Sequence, residues 1–237
     1  MKNKLLIFIP TYNELENVEK LIWQIFRLKL KDFNLLFIDD NSPDGTGRLL
    51  DNLSKKNKQI IIIHRREKLG IGSAHLKAIN WAYDHHYQKL ITMDADFSHN
   101  PLYIKKLLEV SDNYALVTTS RYLRKNSLMG WNILRKILTF IGHFLTKNLL
   151  KMNYDASSAF RLYNLNRIPR KIFNKINSQS YSFFFESLYL LNFHKIKIGE
   201  IPIKLPIRTY GHSKMKPKDL FLSIKFLFTL YFQNTKF

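Results

Sequence analysis

The sequence predicts an α/β domain built on a mainly parallel sheet with flanking helices. Short apolar runs recur at 5–9, 35–38, 60–63, 90–93 and 115–119, the pattern of strands covered on both faces. The segments between them carry apolar residues at helical spacing, so strands alternate with helices through right-handed crossovers. Polar clusters follow the strands at 10–14, 39–45, 94–98 and 118–121, the edge at which open α/β sheets bind ligands.

Taken in order, Leu5–Ile9 is the first strand and Pro10-Thr11-Tyr12-Asn13-Glu14 its loop. Met1 to Lys4 and this run are too short in their apolar part for a signal peptide, so a cytoplasmic-facing chain is expected. Val18, Leu21, Ile22, Ile25 and Phe26 mark a helix from Leu15 to Leu30. Leu35–Ile38 is the second strand, followed by Asp39-Asp40 and the turn residues Asn41-Ser42-Pro43-Asp44-Gly45. Thr46 opens a helix to Lys56, Ile60–Ile63 is the third strand, and a polar loop from Arg65 to Gly72 leads to a helix over 73–84. Leu90–Met93, a helix over 101–111 and a strand at Ala115–Thr119 complete the first half. Beyond it come an apolar helix from Trp131 to Leu150, a loop entering a strand over Asp155–Tyr163, an aromatic helix over 180–193, a strand at Ile196–Ile203, a basic loop over 206–217 and a final amphipathic helix from Lys218 to Phe232.

Charge divides the chain unevenly. The net charge is +20, yet residues 1–119 hold 17 Lys/Arg against 14 Asp/Glu while residues 120–237 hold 21 against 4. The second half therefore expects an anionic partner: a lipid surface, a phosphate-bearing substrate or nucleic acid. The absence of cysteine excludes disulfides, thiolate nucleophiles and zinc–thiolate sites. No stretch reaches the roughly 18 uncharged apolar residues of a membrane span. The helix over 132–150 and the last helix suit a membrane interface, with basic side chains snorkelling, or equally a packed core.

The segment Ile91-Thr92-Met93-Asp94-Ala95-Asp96-Phe97-Ser98-His99-Asn100-Pro101 organises the candidate chemistry. On an extended backbone residues i and i+2 share a side, which would bring Asp94 and Asp96 to one hard cation at a strand end. Asp39 or Asp40 is placed to accept from a nucleotide base with Tyr12 packed on its face, although Asp39–Gly45 also reads as a tight turn with a helix cap. Gly70-Ile71-Gly72 lacks the third glycine and the position of a dinucleotide fingerprint, and no Gly-x-Ser-x-Gly elbow is present.

These segments together resemble the family 2 inverting glycosyltransferases of GT-A fold. The resemblance rests on Pro-Thr-Tyr-Asn-Glu, Asp-Asp-Asn-Ser-Pro-Asp-Gly-Thr, Lys68-Leu69-Gly70-Ile71-Gly72, Met-Asp-Ala-Asp-Phe-Ser-His-Asn-Pro and Ser120-Arg121-Tyr122. Gly130-Trp131, Arg135-Lys136, Ser157–Tyr163, Gly199–Ile203 and Arg208–Lys214 narrow it to the polyprenol-phosphate (dolichyl-phosphate) mannose synthases. The resemblance implies that Pro10, Tyr12, Glu14, Asp40 and Lys68 hold a nucleotide sugar, GDP-mannose by preference, with Ala95 beside it. It implies that Asp94 and Asp96, helped by Ser98, bind Mg²⁺ or Mn²⁺ on the diphosphate, and that Arg121, Arg135 and the Thr139 hydroxyl bind a polyprenyl phosphate. Asp96, Arg121 and Arg135 would then be the catalytic residues, and Arg208 and Lys214 would close over the leaving diphosphate. Where the family often has Thr-Ser-Gly-Phe-Arg, this chain has Ser157-Ser158-Ala159-Phe160-Arg161.

The implied organisation is a catalytic domain over 1–215, with a donor half to about 122 and an acceptor half over 123–215, and an amphipathic helix over 216–237 in place of the membrane spans many relatives append. The implied location is the cytoplasmic face of a membrane, with a small membrane-anchoring subunit as a further partner. Two other functions compete. A related transferase using a UDP-sugar or a polysaccharide hydroxyl would need a carboxylate base, for which the second half offers mainly Asp155 and Glu186. A basic nucleic-acid-binding protein would show a helix-turn-helix, RNP or zinc pattern, and none is present.

Overall fold

A computed structural model of the protein describes residues 5–206 and 217–234. Seven strands form one sheet in the order β3-β2-β1-β4-β6-β5-β7. They are β1 (Leu5–Thr11), β2 (Phe33–Asp39), β3 (Ile60–His64), β4 (Lys89–Thr92), β5 (Leu116–Ser120), β6 (Arg161–Asn164) and β7 (Ile198–Pro202). Pairings are parallel except those of β6, which runs antiparallel to both β4 and β5. The expected mainly parallel sheet is therefore present, with one reversed strand inserted near its centre.

Apolar alternation explains how both faces are filled. Leu6, Phe8, Leu36 and Ile38 enter one core, while Leu5, Ile7, Ile9, Leu35 and Phe37 enter the other. Every residue of β2 is buried, as a central parallel strand requires. The helices are α1 (Leu15–Arg27), α2 (Thr46–Lys56), α3 (Ile71–Asp84), α4 (Tyr103–Val110), α5 (Ile133–Leu149), α6 (Phe183–Phe193) and α7 (Pro217–Asn234), with a 3-10 turn at Arg170–Lys175. α1 ends three residues before the expected boundary, where Lys29 and Asp32 take positive φ and turn the chain into β2.

Two loops are clamped by one side chain. Asp44 accepts from the backbone N–H of Leu15 at 3.1 Å, at the start of α1, and from the N–H and hydroxyl of Thr46 at 3.0 and 2.6 Å, at the start of α2. Thr46 Oγ1 in turn accepts from the Glu14 N–H at 2.9 Å. Partial burial pushes the Asp44 carboxyl up, but the bonds from Thr46 and Leu15 outweigh it and leave the group below its ordinary 3.8. Removal of this shared cap in Asp44→Ala should cost about 1 kcal/mol of stability by urea denaturation. Because the folded carboxyl is the stronger acid, its contribution is full above its ordinary value and fades as pH falls through the lower folded one. The wild-type advantage over Asp44→Ala should therefore be constant at neutral pH and narrow only in strong acid.

Candidate active site

The carboxyl ends of β1, β2, β4 and β5 share one edge of the sheet, and the order reverses between β1 and β4. Such a switch point leaves a crevice between neighbouring loops. At its first wall, Asp39 is consumed by the fold: it accepts from Thr11 Oγ1 at 3.1 Å, the Ser42 N–H at 3.0 Å and the Ser42 hydroxyl. Asp40 is paired through Oδ1 with Nε and Nη2 of Arg65. Burial raises the Asp40 carboxyl and the guanidinium opposes that rise. Asp39 is thus bonded within its own turn and to β1, whereas Asp40 is held by the Arg65 guanidinium.

Arg65 carries this wall onward, donating through Nη1 to Ser73 Oγ at 2.6 Å and through Nη2 to the Gly70 carbonyl at 3.2 Å. Gly70 has φ +92° and a Cβ there would stand 2.5 Å from the Gln179 carbonyl oxygen. The glycine-containing loop thus admits a neighbouring backbone rather than a phosphate. Lys68 Nζ lies 4.1 Å from the centre of the Tyr12 ring, a cation–π contact that brings together two residues expected around the donor. Pro10 is the penultimate residue of β1, and Glu14 Oε2 accepts from Asn17 Nδ2 at 2.7 Å.

The paired carboxylates follow β4, but not on extended backbone. β4 stops at Thr92, Ala95–His99 is a run of bends, and Phe97 takes φ 60°. The backbone that carries Asp94 and Asp96 is therefore bent rather than extended. Asp96 Oδ1 accepts from the Ser98 N–H at 3.0 Å and its hydroxyl at 2.6 Å. The Asp94 N–H donates to His99 Nδ1 at 2.9 Å, and buried His99 packs on Phe160 with ring centres 5.0 Å apart. Among the described residues no three His, Cys, Asp or Glu side chains form a metal-ligand cluster. Two carboxylates with a hydroxyl beside them still match Mg²⁺ or Mn²⁺, since such ions accept one or two protein carboxylates and complete their shell with phosphate and water.

Past β5 stands a cationic cluster. Arg121 donates from Nε to Asp155 Oδ2 at 2.7 Å, its side chain is 11% exposed, and its guanidinium lies 6.0 Å from the Trp131 ring centre. Arg135, in the first turn of α5, stacks on the same ring at 3.5 Å. Asn132 caps that helix, its Oδ1 accepting from the Arg135 N–H at 2.8 Å. Trp131 Nε1 is buried without a partner among the described residues. One turn on, the Thr139 carbonyl accepts from Tyr122 Oη at 3.1 Å, and Tyr122 stacks on His143 at 3.8 Å. Burial and the Asp155 charge push the Tyr122 phenol above its usual range.

The reversed strand joins the two clusters. Arg161 of β6 pairs across to Thr92 of β4 on one side and to Thr118 of β5 on the other. The segment leading into β6 thus places Phe160 against His99 and Asp155 against Arg121. β4 and β5 flank a single strand, so their carboxyl ends lie about 10 Å apart. Glu200 of β7 supports the same segment, its Oε1 accepting from the Asp155 N–H at 2.7 Å. Of the expected site residues, Arg208 and Lys214 lie outside the described residues. His99, Trp131 and Glu200 lie within the motifs above without an assigned role, and Asp155, weighed there only as a base for a hydroxyl acceptor, is paired with Arg121. A cavity of about 1000 Å³ lies against Phe97 and Asn100, lined also by Trp23, Pro101, Met129 and Lys204. Neither carboxylate and neither arginine lines it, which keeps the chemistry at the open edge.

The family model of glycosyl transferase family 2 matches residues 6–168. The chain is a family 2 glycosyltransferase. It is 30% identical over 213 residues to an undecaprenyl-phosphate mannosyltransferase of Micrococcus luteus, covering 90% of this chain and 87% of that protein. It is also 30% identical over 218 residues to a polyprenol monophosphomannose synthase of Mycolicibacterium smegmatis, covering 91% and 82%. Among solved structures it resembles glucosyl-3-phosphoglycerate synthase of Mycobacterium tuberculosis with Mn²⁺, UDP-glucose and phosphoglyceric acid, at TM-score 0.66 and 16% identity over 97% of this chain and 80% of that one. The same enzyme with Mg²⁺ and UDP gives TM-score 0.63 at 16% identity over 96% and 78%. The likeness shows a GT-A-like fold, and the family membership makes the chain an enzyme of glycosyl transfer.

Proposed function

We propose that this transferase moves a mannosyl group from GDP-mannose to a polyprenyl monophosphate with inversion at the anomeric carbon. The observation that carries the reading is the pairing of a carboxylate turn after β4 with an arginine–tryptophan cluster after β5, bridged by the segment entering β6. The first is suited to a nucleotide diphosphate and the second to a phosphate acceptor, and the names of the two mannosyltransferase relatives supply the sugar and the lipid.

In this reading Tyr12, Glu14, Asp40 and Lys68 hold the nucleoside end, with Pro10 and Ala95 shaping the pocket. Asp94 and Asp96, with Ser98, hold Mg²⁺ or Mn²⁺; when bound, the ion neutralises charge building on the departing diphosphate. Arg121 and Arg135 bind the lipid phosphate, for which the guanidinium fork is suited, and the Thr139 hydroxyl assists. A phosphate oxygen then attacks the anomeric carbon, the new C–O bond forms, and GDP leaves with the electrons of the broken bond. The nucleophile is already anionic, so no protein base has to deprotonate it. That agrees with the state of the acids: Asp155 and Glu186 are each 1% exposed, Asp155 bound to Arg121 and Ser157, and Glu186 to the backbone N–H groups of Asn177 and Ser178. Arg208 and Lys214 are assigned to the leaving diphosphate on the resemblance alone. A panel of GDP- and UDP-sugars with prenyl phosphate and Mn²⁺, read by product mass and anomeric coupling, tests the proposal; a product only with UDP-sugars, or only on hydroxyl acceptors, would overturn it.

The apolar faces of α5 and α7 are assigned to the cytoplasmic surface of a membrane. α5 fully buries only Thr146, while Ile133, Leu134, Phe140 and Phe144 are 76, 66, 55 and 64% exposed. Phe221 and Phe232 of α7 are 68 and 60% exposed. No helix among the described residues is long and apolar enough to cross a bilayer. Faces of this size mark interaction surfaces, and Arg135, Lys136 and Lys147 add the charge that anionic lipid attracts. A small membrane-anchoring subunit would use the same face. Flotation with vesicles containing anionic lipid should recover the wild type, and Phe140→Ser/Phe144→Ser should weaken binding by about tenfold or more. Unchanged flotation would move the lipid contact elsewhere.

A further inference from the structure

We infer that His99 is a positioning residue for the carboxylate turn: its Nδ1 holds the backbone of Asp94, and through it the orientation of the first metal-binding carboxylate. The inference rests on the metal reading proposed above. Three observations carry it. The Asp94 N–H donates to His99 Nδ1 at 2.9 Å, and Asp94 Oδ2 stands 3.7 Å from the same nitrogen. His99 is 5% exposed and packs on Phe160 at 5.0 Å with the rings inclined by 32°. Phe160 immediately precedes Arg161, whose partner across the strands is Thr92, the last residue of β4. The imidazole is therefore fixed on one side by packing against the segment entering β6, and on the other by accepting a backbone proton.

The accepted proton has a chemical consequence. A nitrogen that accepts from an N–H does so through its lone pair, so this geometry leaves Nε2 as the ring's donor. The bond also answers a local need. β4 ends at Thr92, so the Asp94 N–H lies beyond that strand and His99 Nδ1 supplies an acceptor for it. Ser98 fixes Asp96 by a different route, through bonds to Oδ1. Each carboxylate thus has its own brace, one acting through the backbone and one on the side chain. Groups that orient ligands without touching the ion commonly tune its affinity by 10- to 100-fold.

Two substitutions separate this role from packing. His99→Phe keeps a flat ring against Phe160 and removes the acceptor. His99→Asn restores an acceptor near the place of Nδ1 and gives up the ring. Mn²⁺ affinity of the full chain, measured with GDP present by the electron paramagnetic resonance of free Mn²⁺, should fall about tenfold in His99→Phe, with most of it recovered in His99→Asn. The melting temperatures should show the opposite order, since packing favours Phe. Wild-type Mn²⁺ affinity in His99→Phe overturns the inference, as does equal loss in both variants. Asp96→Asn serves as the control: if it binds Mn²⁺ as the wild type does, the metal reading itself fails. Nitrogen-15 spectra of the unmodified protein give a reading independent of any variant's folding. An unprotonated Nδ1 supports the assignment and a protonated one overturns it.

Discussion

Asp96→Asn is expected to lower transfer by about 10³-fold or more while leaving the melting temperature within a few degrees of wild type. The two halves of this expectation come from different atoms of one side chain. In the fold it accepts from the Ser98 N–H and hydroxyl through Oδ1, and an asparagine carbonyl oxygen can accept both bonds, though more weakly. What is lost is the negative charge. A divalent ion offered one carboxylate and one amide is held less firmly, and the departing diphosphate loses its neutralisation. Several kcal/mol of transition-state stabilisation are at stake, and each 1.36 kcal/mol is tenfold in rate. The loss should appear in kcat at saturating donor, and raising Mn²⁺ should restore only a small part. Full turnover of Asp96→Asn at high Mn²⁺ would remove the carboxylate turn from the chemistry.

Much of this architecture was legible because parallel strands advertise themselves. The apolar runs at β1, β2 and β3 needed no alternation to be recognised, although only β1 and β2 are buried along most of their length. Direction and depth were not legible. β6 spans only Arg161–Asn164, and four residues carry no signal of which way a strand runs. Its first residue also argues against burial, since arginine is almost always exposed. Here Arg161 is fully buried, its Nη1 and Nη2 donating to Ser187 Oγ and the carbonyls of Ala156 and Phe184, while Nε has no partner among the described residues. Nearby His75 is enclosed by Phe8, Phe183 and Phe184, and burial, aided by the Arg161 charge, lowers it to about 3. The carboxylate pair was read on an extended strand, which the backbone does not bear out: Asp94 and Asp96 lie beyond β4, Asp96 in a run of bends, where Ser98 bonds the Asp96 carboxylate and His99 the Asp94 N–H. Helical spacing in α5 could not tell a core face from an exposed apolar one; the exposure of Phe140 and Phe144 shows that theirs is not core.

Arg135→Ala is expected to raise the KM for polyprenyl phosphate by about 10- to 100-fold with little change in the KM for the nucleotide sugar. The two arginines of the cluster differ in what else they do, and that decides which one gives a clean test. Arg121 is nearly enclosed and neutralises Asp155, which is 1% exposed; its removal strands a buried carboxylate at a cost of about 3 kcal/mol or more, so lost activity would be mixed with lost fold. Arg135 is exposed, and its backbone N–H keeps the Asn132 cap whatever the side chain. Alanine there forfeits the stacking on Trp131 and one charge-assisted contact to phosphate, worth about 1.5–3 kcal/mol. Lysine is the informative second substitution: it restores the charge but neither the planar fork nor the close stacking, so Arg135→Lys should recover only part of the loss. Equal weakening of donor and acceptor in Arg135→Ala would show that the arginine acts on the site as a whole, and the division into a donor end at β4 and an acceptor end at β5 would have to be abandoned.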